Sequence, residues 1–165
     1  MVTAQDEIFL RLAIDLARQA RQQGADPFGA ILVVNDQVVH QVLDRCVEMS
    51  DPTFHAELGL ISEYCRTHQI MSLDDYTLYS SAEPCPMCAW AIHWAHISRV
   101  VFSVPQTLLQ QWSGGNLKPG LRDSLSASRR QIEIVGPLLL DEGKAVFEGH
   151  TFVPKATRHQ SRRGE

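Results

Sequence analysis

Two short segments constrain this chain more than any other part of it. His55-Ala56-Glu57 forms the first, and Cys85 and Cys88 belong to the second. Each segment stands at the start of a predicted helix. Cysteines three residues apart on a helix share a face and can bind one ion, and a helix N-terminus stabilises the thiolate form. One imidazole from another helix would complete a set of three ligands. The sequence therefore predicts a fold that brings two helix N-termini together around a metal ion.

A set of three protein ligands is typical of a catalytic zinc site, because the fourth position stays open for water. Zinc lowers the pKa of that water to about 7, which supplies a nucleophile at neutral pH. Glu57 is the candidate group to move protons beside it. Glu57 lies two residues after His55. In a regular helix this spacing places the two side chains on different faces, so the arrangement depends on an irregular first turn.

Other interpretations of the same residues stay open. Cys85 and Cys88 could be a redox pair or two buried thiols, and Glu57 alone could be a solvated carboxylate in the first turn of a helix. His93 and His96 are also three residues apart. If either histidine filled the fourth position, the zinc would be structural and the protein would not be an enzyme.

Apolar periodicity predicts strands and helices in alternation. The predicted helices cover residues 6–23, 51–68, 85–95 and 139–147, and the predicted strands cover 30–34, 37–43, 76–81, 100–104 and 132–135. This order favours an α/β fold with three layers, in which helices cover both faces of a five-stranded mixed sheet. Residues 105–128 read as an insertion-like loop whose centre is rich in glycine.

The length of 165 residues suits a single domain, which we assign to residues 1–153. The basic segment 154–165 is predicted to be a flexible tail. No signal peptide or apolar run of membrane length is visible, so we expect a cytoplasmic protein whose cysteines are ligands or core residues. The net charge of -4 argues against a nucleic-acid partner.

The pattern H-x-E followed by P-C-x-x-C is the signature of zinc-dependent nucleobase deaminases. From about residue 13 to residue 147, the chain resembles the cytidine and deoxycytidylate deaminase superfamily. Four segments look most like the bacterial guanine deaminase branch: 27–30, 51–57, 83–88 and 91–94. The tRNA adenosine deaminases are near relatives of that branch.

This resemblance implies a cytidine deaminase-like fold and one Zn²⁺ per subunit. It implies that Glu57 is the proton shuttle, and that Ala56, through its backbone N–H, binds the substrate. It also implies a homodimer in which residues 147–152 close the site of the partner. The residues implied to hold the metal are His55, Cys85 and Cys88, and those implied to enclose the base are Phe28 and Trp94.

Asp44 departs from the family pattern, since an asparagine that binds substrate usually occupies this place. An ionised aspartate only accepts hydrogen bonds, so Asp44 would favour a substrate edge rich in N–H donors. The expected activity is the hydrolytic release of ammonia from a free purine-like heterocycle, such as guanine, an aminopurine, a pterin or an aminotriazine. The alternatives are a tRNA-specific adenosine deaminase and a non-catalytic binding module stabilised by zinc.

Overall fold

The computed structural model describes residues 2–115, 118–155 and 157–158. One five-stranded sheet and the helices that cover it account for this part of the chain. The strands are β1 (Gly29–Val34), β2 (Gln37–Leu43), β3 (Thr77–Ala82), β4 (Arg99–Val104) and β5 (Glu133–Val135). The helices are α1 (Ala4–Gln22), α2 (Cys46–Met49), α3 (Ala56–His68), α4 (Pro86–Trp94), α5 (Gln106–Ser113), α6 (Leu121–Ser124) and α7 (Leu140–Phe147).

The sheet is mixed and has the strand order β2-β1-β3-β4-β5. Strand β1 is antiparallel to both β2 and β3, whereas β3, β4 and β5 are mutually parallel. The β1–β2 hairpin turns at Asn35 and Asp36, whose φ angles of 51° and 56° suit the tight turn that matches the twist of a hairpin. The five-stranded mixed sheet predicted from the sequence is thereby confirmed.

Successive residues of a strand point to opposite faces of the sheet, and each face has its own core. Leu32 and Leu78 pack on the side covered by α3 and α4. Ile31 and Tyr79, their neighbours along the strands, pack on the side covered by α1 and α7. The predicted three layers, helices on both faces of a sheet, are therefore present.

Helix α1 is fixed to the sheet at its first turn. Thr3 and Asp6 form a reciprocal capping box, with hydrogen bonds of 3.1 Å and 2.8 Å. Asp6 is buried, and its carboxylate also accepts hydrogen bonds from Arg99 at 2.6 Å and from the Tyr79 hydroxyl at 2.8 Å. One carboxylate thus joins the helix start to strands β3 and β4.

The beginning of β1 lies unusually close to α1. A Cβ atom at Gly29 would lie 2.5 Å from the Leu16 Cβ and 2.6 Å from the Ala13 carbonyl oxygen, so any larger residue would separate the two elements. The Gly29 N–H donates to the Ser81 hydroxyl at 3.0 Å. This contact fixes the position of the preceding residue, Phe28.

Helix α3 begins at Ala56, five residues later than the sequence pattern predicts. The Asp51 carboxylate accepts hydrogen bonds from the Thr53 N–H at 2.8 Å and from the Thr53 hydroxyl at 2.6 Å. Such a local side-chain turn competes with helix formation, which explains the late start. The preceding loop also contains the short helix α2, which the sequence did not predict.

Two residues of the segment predicted as a flexible tail form ion pairs with the domain. Lys155 pairs with Asp44 at 2.5 Å, and Arg158 pairs with Asp26 at 2.7 Å. Both carboxylates are buried, so each requires a cation nearby, and Lys155 and Arg158 supply it. Residues 156 and 159–165 of the predicted tail lie outside the described residues. Within the described part, none of the helices has the length and apolar character needed to cross a membrane.

We expect Asp6→Asn to lower the free energy of unfolding by about 3 kcal/mol, because it removes the buried carboxylate that pairs with Arg99. Burial alone would raise the pKa of Asp6, but the bonds from Arg99, Thr3 and Tyr79 hold that pKa well below its ordinary value. The ionised carboxylate therefore stabilises the fold above about pH 4, and this contribution is lost as the pH falls.

Urea unfolding of both proteins between pH 3 and pH 7 measures this effect. The difference between wild type and Asp6→Asn should shrink on acidification. Asp15→Asn, on the exposed face of the same helix, is the matched control and should have little effect. A difference that does not change with pH would contradict the assignment.

Candidate active site

The N-termini of α3 and α4 meet at one end of the sheet. His55 is the N-cap of α3 and Cys85 is the N-cap of α4, where Pro86 occupies the first turn. Cys88 lies one turn into α4 and is fully buried. The three ligand atoms approach closely: Cys85 Sγ lies 3.6 Å from His55 Nδ1 and 3.7 Å from Cys88 Sγ, and Cys88 Sγ lies 3.8 Å from His55 Nδ1.

These separations fit a zinc ion. Zinc bonds of about 2.3 Å to sulfur and about 2.0 Å to nitrogen in a tetrahedron require about 3.5–3.8 Å between ligand atoms. Among the described residues, His55, Cys85 and Cys88 are the group of metal-ligating side chains that could hold such an ion. His93 and His96 do not join them, since their rings bind the Ser128 and Ser72 hydroxyls.

The charges at this corner suit metal binding. The hydrogen bond from the Cys88 thiol holds the pKa of Cys85 well below its ordinary value, although burial opposes the shift. The proton shared by the two cysteines raises the pKa of Cys88 correspondingly. A thiolate is the form that binds metal, and both cysteines lie where the helix dipole favours negative charge.

Glu57 stands beside the three candidate ligands. His55 has an extended backbone with ψ at 155°, so it lies outside the helical spacing that would separate it from Glu57. The Glu57 Oε1 accepts a hydrogen bond from the Ser80 hydroxyl at 2.9 Å, and Oε2 lies 3.6 Å from Cys88 Sγ. Burial raises the pKa of Glu57 above its ordinary value, although the nearby His55 opposes this. A carboxyl group with a raised pKa is suited to both taking and giving protons near neutral pH.

A cavity of about 200 Å³ opens onto this group. His55, Glu57 and Cys85 contribute to its lining. Phe28 lines one wall and packs against the Phe152 ring, with 6.3 Å between ring centroids. Side chains on other elements complete the lining: Asp26, Ala82, Glu83, Gln106, Leu109, Gln110, Ser113, Gly115, Lys118 and Lys155.

The insertion-like loop forms one side of this cavity. Helix α5 contributes Gln106, Leu109 and Gln110 to the lining. Glu83, two residues before Cys85, binds the segment at both ends: its carboxylate accepts from the Gln106 N–H at 2.8 Å and from the Leu121 N–H at 2.6 Å. A single side chain next to the candidate ligands therefore positions this wall.

The C-terminal segment contributes to the lining of the cavity of its own chain. Phe152 and Lys155 line the cavity, and Lys155 Nζ donates to Asp44 Oδ2 at 2.5 Å and to Cys46 Sγ at 3.0 Å. The family resemblance implies that residues 147–152 close the site of the partner subunit in a homodimer. In this structure Phe147 and Phe152 pack against Phe28 of the same chain.

Of the residues expected to bind substrate, some lie at the cavity and others do not. Phe28 lines the cavity, and Ala56 is buried at the first residue of α3, where backbone N–H groups have no partner within the helix. Asp44 is buried against Lys155 and is not part of the cavity lining. Trp94 is 73% exposed at the end of α4, outside that lining, so a contact between Trp94 and a base in the same chain is not supported.

The family model for the cytidine and deoxycytidylate deaminase zinc-binding region matches residues 3–104. The chain belongs to this family. The family is a zinc-binding one, and His55, Cys85 and Cys88 are the residues that could hold the ion. The superfamily membership predicted from the H-x-E and P-C-x-x-C pattern is confirmed.

Curated relatives have different activities. The "Probable cytosine deaminase" of Schizosaccharomyces pombe is 37% identical over 154 residues, which is 90% of this chain and 93% of that protein. The guanine deaminase of Bacillus subtilis is 37% identical over 102 residues, or 61% of this chain and 65% of that protein. A tRNA-specific adenosine deaminase of Aquifex aeolicus is 37% identical over 97 residues, or 59% of this chain and 64% of that protein.

Solved structures agree with this assignment. The B. subtilis guanine deaminase superposes with a TM-score of 0.62 at 30% identity, covering 87% of this chain and 91% of that one. A chain from a study of A-to-I editing by tRNA:A34 deaminases superposes with a TM-score of 0.71 at 27% identity, covering 85% of this chain and 99% of that one. The protein is therefore a member of a zinc-type deaminase family, and guanine deaminases are among its relatives, as predicted.

We expect zinc to bind in a ratio of one ion per chain, and Cys88→Ala to abolish stoichiometric binding by removing a buried ligand. Metal analysis of the purified proteins measures the ratio. Cys65→Ala removes a cysteine that is distant from the cluster and should keep its zinc. Zinc retained at full occupancy in Cys88→Ala would exclude this ligand set.

We expect Glu83→Gln to loosen the cavity wall, because an amide nitrogen cannot accept one of the two backbone N–H bonds. Hydrogen exchange at residues 106 and 121 should be faster by about tenfold or more, which corresponds to the loss of a charge-assisted bond. Zinc content should not change. Glu48→Gln, at an exposed position of helix α2, serves as the control. Unaltered exchange in Glu83→Gln would contradict the role assigned to Glu83.

Proposed function

We propose that the protein is a hydrolytic deaminase of a free amino heterocycle, with purine-like bases such as guanine as the first candidates. Related aminopurines, pterins and aminotriazines belong to the same class. The reaction consumes one water and releases one ammonia, leaving a carbonyl where the ring carried its amine. His55, Cys85 and Cys88 hold the zinc in this proposal, and Glu57 is the catalytic residue.

The size and lining of the cavity are the observation that carries the proposal. Ligand sites for drug-sized molecules typically enclose about 300–1,000 Å³, so a cavity of about 200 Å³ suits a single ring system. Phe28 and Phe152 supply flat apolar surfaces to the lining, and the C-terminal segment also contributes Lys155. A base within a folded RNA would need more room beside this lining, because its ribose and phosphates must remain outside the cavity.

The residues of this chain account for the proton movements. Zinc, when bound, makes a water molecule acidic enough to act as a nucleophile near neutral pH. Glu57 takes up a proton and delivers it to the ring nitrogen next to the reacting carbon, and then carries a second proton to the departing amine. The Ser80 hydroxyl fixes Glu57 Oε1, which leaves Oε2 to exchange protons. The Ala56 N–H at the start of α3 holds an acceptor on the ring.

The proposal includes a homodimer. Trp94 is 73% exposed and Trp90 lies on the same helix with 36% of its surface exposed, which is unusual for such large apolar side chains. In a dimer that buries α4, Trp94 would have the partner's surface as its contact.

A tRNA adenosine deaminase is the second candidate, supported by the tRNA-specific relative of Aquifex aeolicus, which is 37% identical over 59% of the chain. A cytosine deaminase is the third, supported by the S. pombe relative. The same experiment separates all three.

We expect the zinc-loaded protein to release ammonia from at least one free base, and Glu57→Gln to lower kcat by about 10²–10⁴-fold with zinc retained, because the proton shuttle is lost. A coupled ammonia assay over guanine, aminopurines, pterins, aminotriazines, cytosine and adenosine in an anticodon stem-loop measures both.

Glu63→Gln is the matched control, since Glu63 lies on the same helix and outside the cavity. Turnover confined to the stem-loop would replace the proposal by the second candidate. Undiminished turnover in Glu57→Gln would exclude Glu57 as the proton shuttle.

A further inference from the structure

A cluster of four charged side chains lies beside the cavity. Two are carboxylates, Asp26 and Asp44, and two are cations of the C-terminal segment, Lys155 and Arg158. Asp44 is 1% exposed and Asp26 is 4% exposed. Carboxylates this deeply buried are stable only when cations neutralise them.

Asp44 is already engaged by the protein. Its Oδ2 accepts from Lys155 Nζ at 2.5 Å and lies 3.5 Å from the Cys46 thiol. Burial raises the pKa of Cys46 to about 11, so this thiol stays neutral. Asp44 therefore serves as the counter-ion of Lys155, and its charge is not free to select a substrate edge rich in N–H donors.

Of the ion pair formed by Asp44 and Lys155, Lys155 is the residue that lines the cavity. An ammonium group has three N–H donors. In the described part of the chain, two of them have hydrogen-bond partners, Asp44 and Cys46. The Asp26 carboxylate lies 3.7 Å away, beyond hydrogen-bond distance. Burial alone would lower the pKa of Lys155, but Asp44 and Cys46 raise it above its ordinary value, so the group remains charged.

We propose that Lys155, held by Asp44, is a specificity-determining residue that donates its third N–H to an acceptor on the substrate ring. The substrate class is an amino heterocycle that also carries a carbonyl oxygen or an equivalent acceptor on its edge. This inference rests on the proposed function and narrows it. A substrate edge that accepts a hydrogen bond from Lys155 thus replaces the edge rich in N–H donors that we expected from Asp44 in the sequence.

The test compares pairs of ligands that differ in one carbonyl oxygen attached to the ring. Cytosine and 4-aminopyrimidine form one pair, and guanine and 2-aminopurine form the other. Binding to zinc-loaded protein is measured by calorimetry in a Glu57→Gln background, and kcat/KM is measured in the wild-type background. With Lys155 in place, the protein should bind the oxygen-bearing member of at least one pair more tightly, or convert it with a higher kcat/KM, than the other member.

Lys155→Met should weaken binding of that member by about 10- to 100-fold, as expected for a lost hydrogen bond from a charged group. Binding of the member without the oxygen should stay the same. Lys144→Met, which removes the same charge from an exposed side chain of α7, is the matched control and should change the binding of neither ligand.

Lys155→Met leaves Asp44 buried without its cation and could fail to fold for that reason. The double variant Asp44→Asn with Lys155→Met removes both charges together. We expect it to unfold at a higher temperature than Lys155→Met and to lack the preference for the oxygen.

The outcomes separate the two proposals. If zinc-loaded wild type neither binds nor converts any heterocycle, the proposed function fails, and this inference fails with it. If heterocycles bind but the preference for the oxygen is the same in wild type and in the double variant, only this inference is overturned. The single variants Asp44→Asn and Lys155→Met and the double variant could also show that the effects of Asp44 and Lys155 on the free energy of unfolding are not additive, while the ligand preference equals that of wild type. The ion pair would then serve only the stability of the fold, and this inference would be overturned.

Discussion

A buried corner that contains two cysteines, an imidazole and a carboxyl group can exist only if their charges are balanced. The structure meets this constraint by directing two helix N-termini at the same point, where backbone N–H groups and the helix dipoles favour negative charge. A zinc ion completes the balance. Its fit to the separations between His55, Cys85 and Cys88 follows from where α3 and α4 begin. The parallel strands β3 and β4, which precede and follow α4, fix that helix start in place.

The parts of the molecule that depend on short-range patterns could be predicted from the sequence. The five strands follow from periodicity, and the roles of the candidate ligands and Glu57 follow from the H-x-E and P-C-x-x-C segments together with the family resemblance that they carry. The start of α3 could not be predicted, because the Asp51 carboxylate binds the Thr53 backbone and replaces a turn of helix. The ion pair that brings the C-terminal segment to the cavity was also missed. Lys155 and Asp44 are 111 residues apart, and a basic residue in a polar terminus has no local feature that marks it as a core counter-ion.

A signal for that ion pair was nevertheless present. The family resemblance leads one to expect an asparagine at position 44, so Asp44 adds a charge at a buried position, and the chain must supply a cation elsewhere to compensate. The basic residues after residue 153 were the unassigned candidates. A substitution that adds charge to a core therefore directs attention to the remote residue that neutralises it.

The close approach of Gly29 to α1 has a consequence for how such enzymes diversify. Because a Cβ atom at Gly29 would meet Leu16, β1 and α1 stay in close contact beside the part of the lining that carries Phe28. Another part of the lining comes from helix α5 and the C-terminal segment, which are joined to the rest by polar contacts of Glu83 and Asp44 and by the packing of Phe152 on Phe28. Substitutions in this second part would change the shape of the cavity while leaving the residues of the metal centre in place.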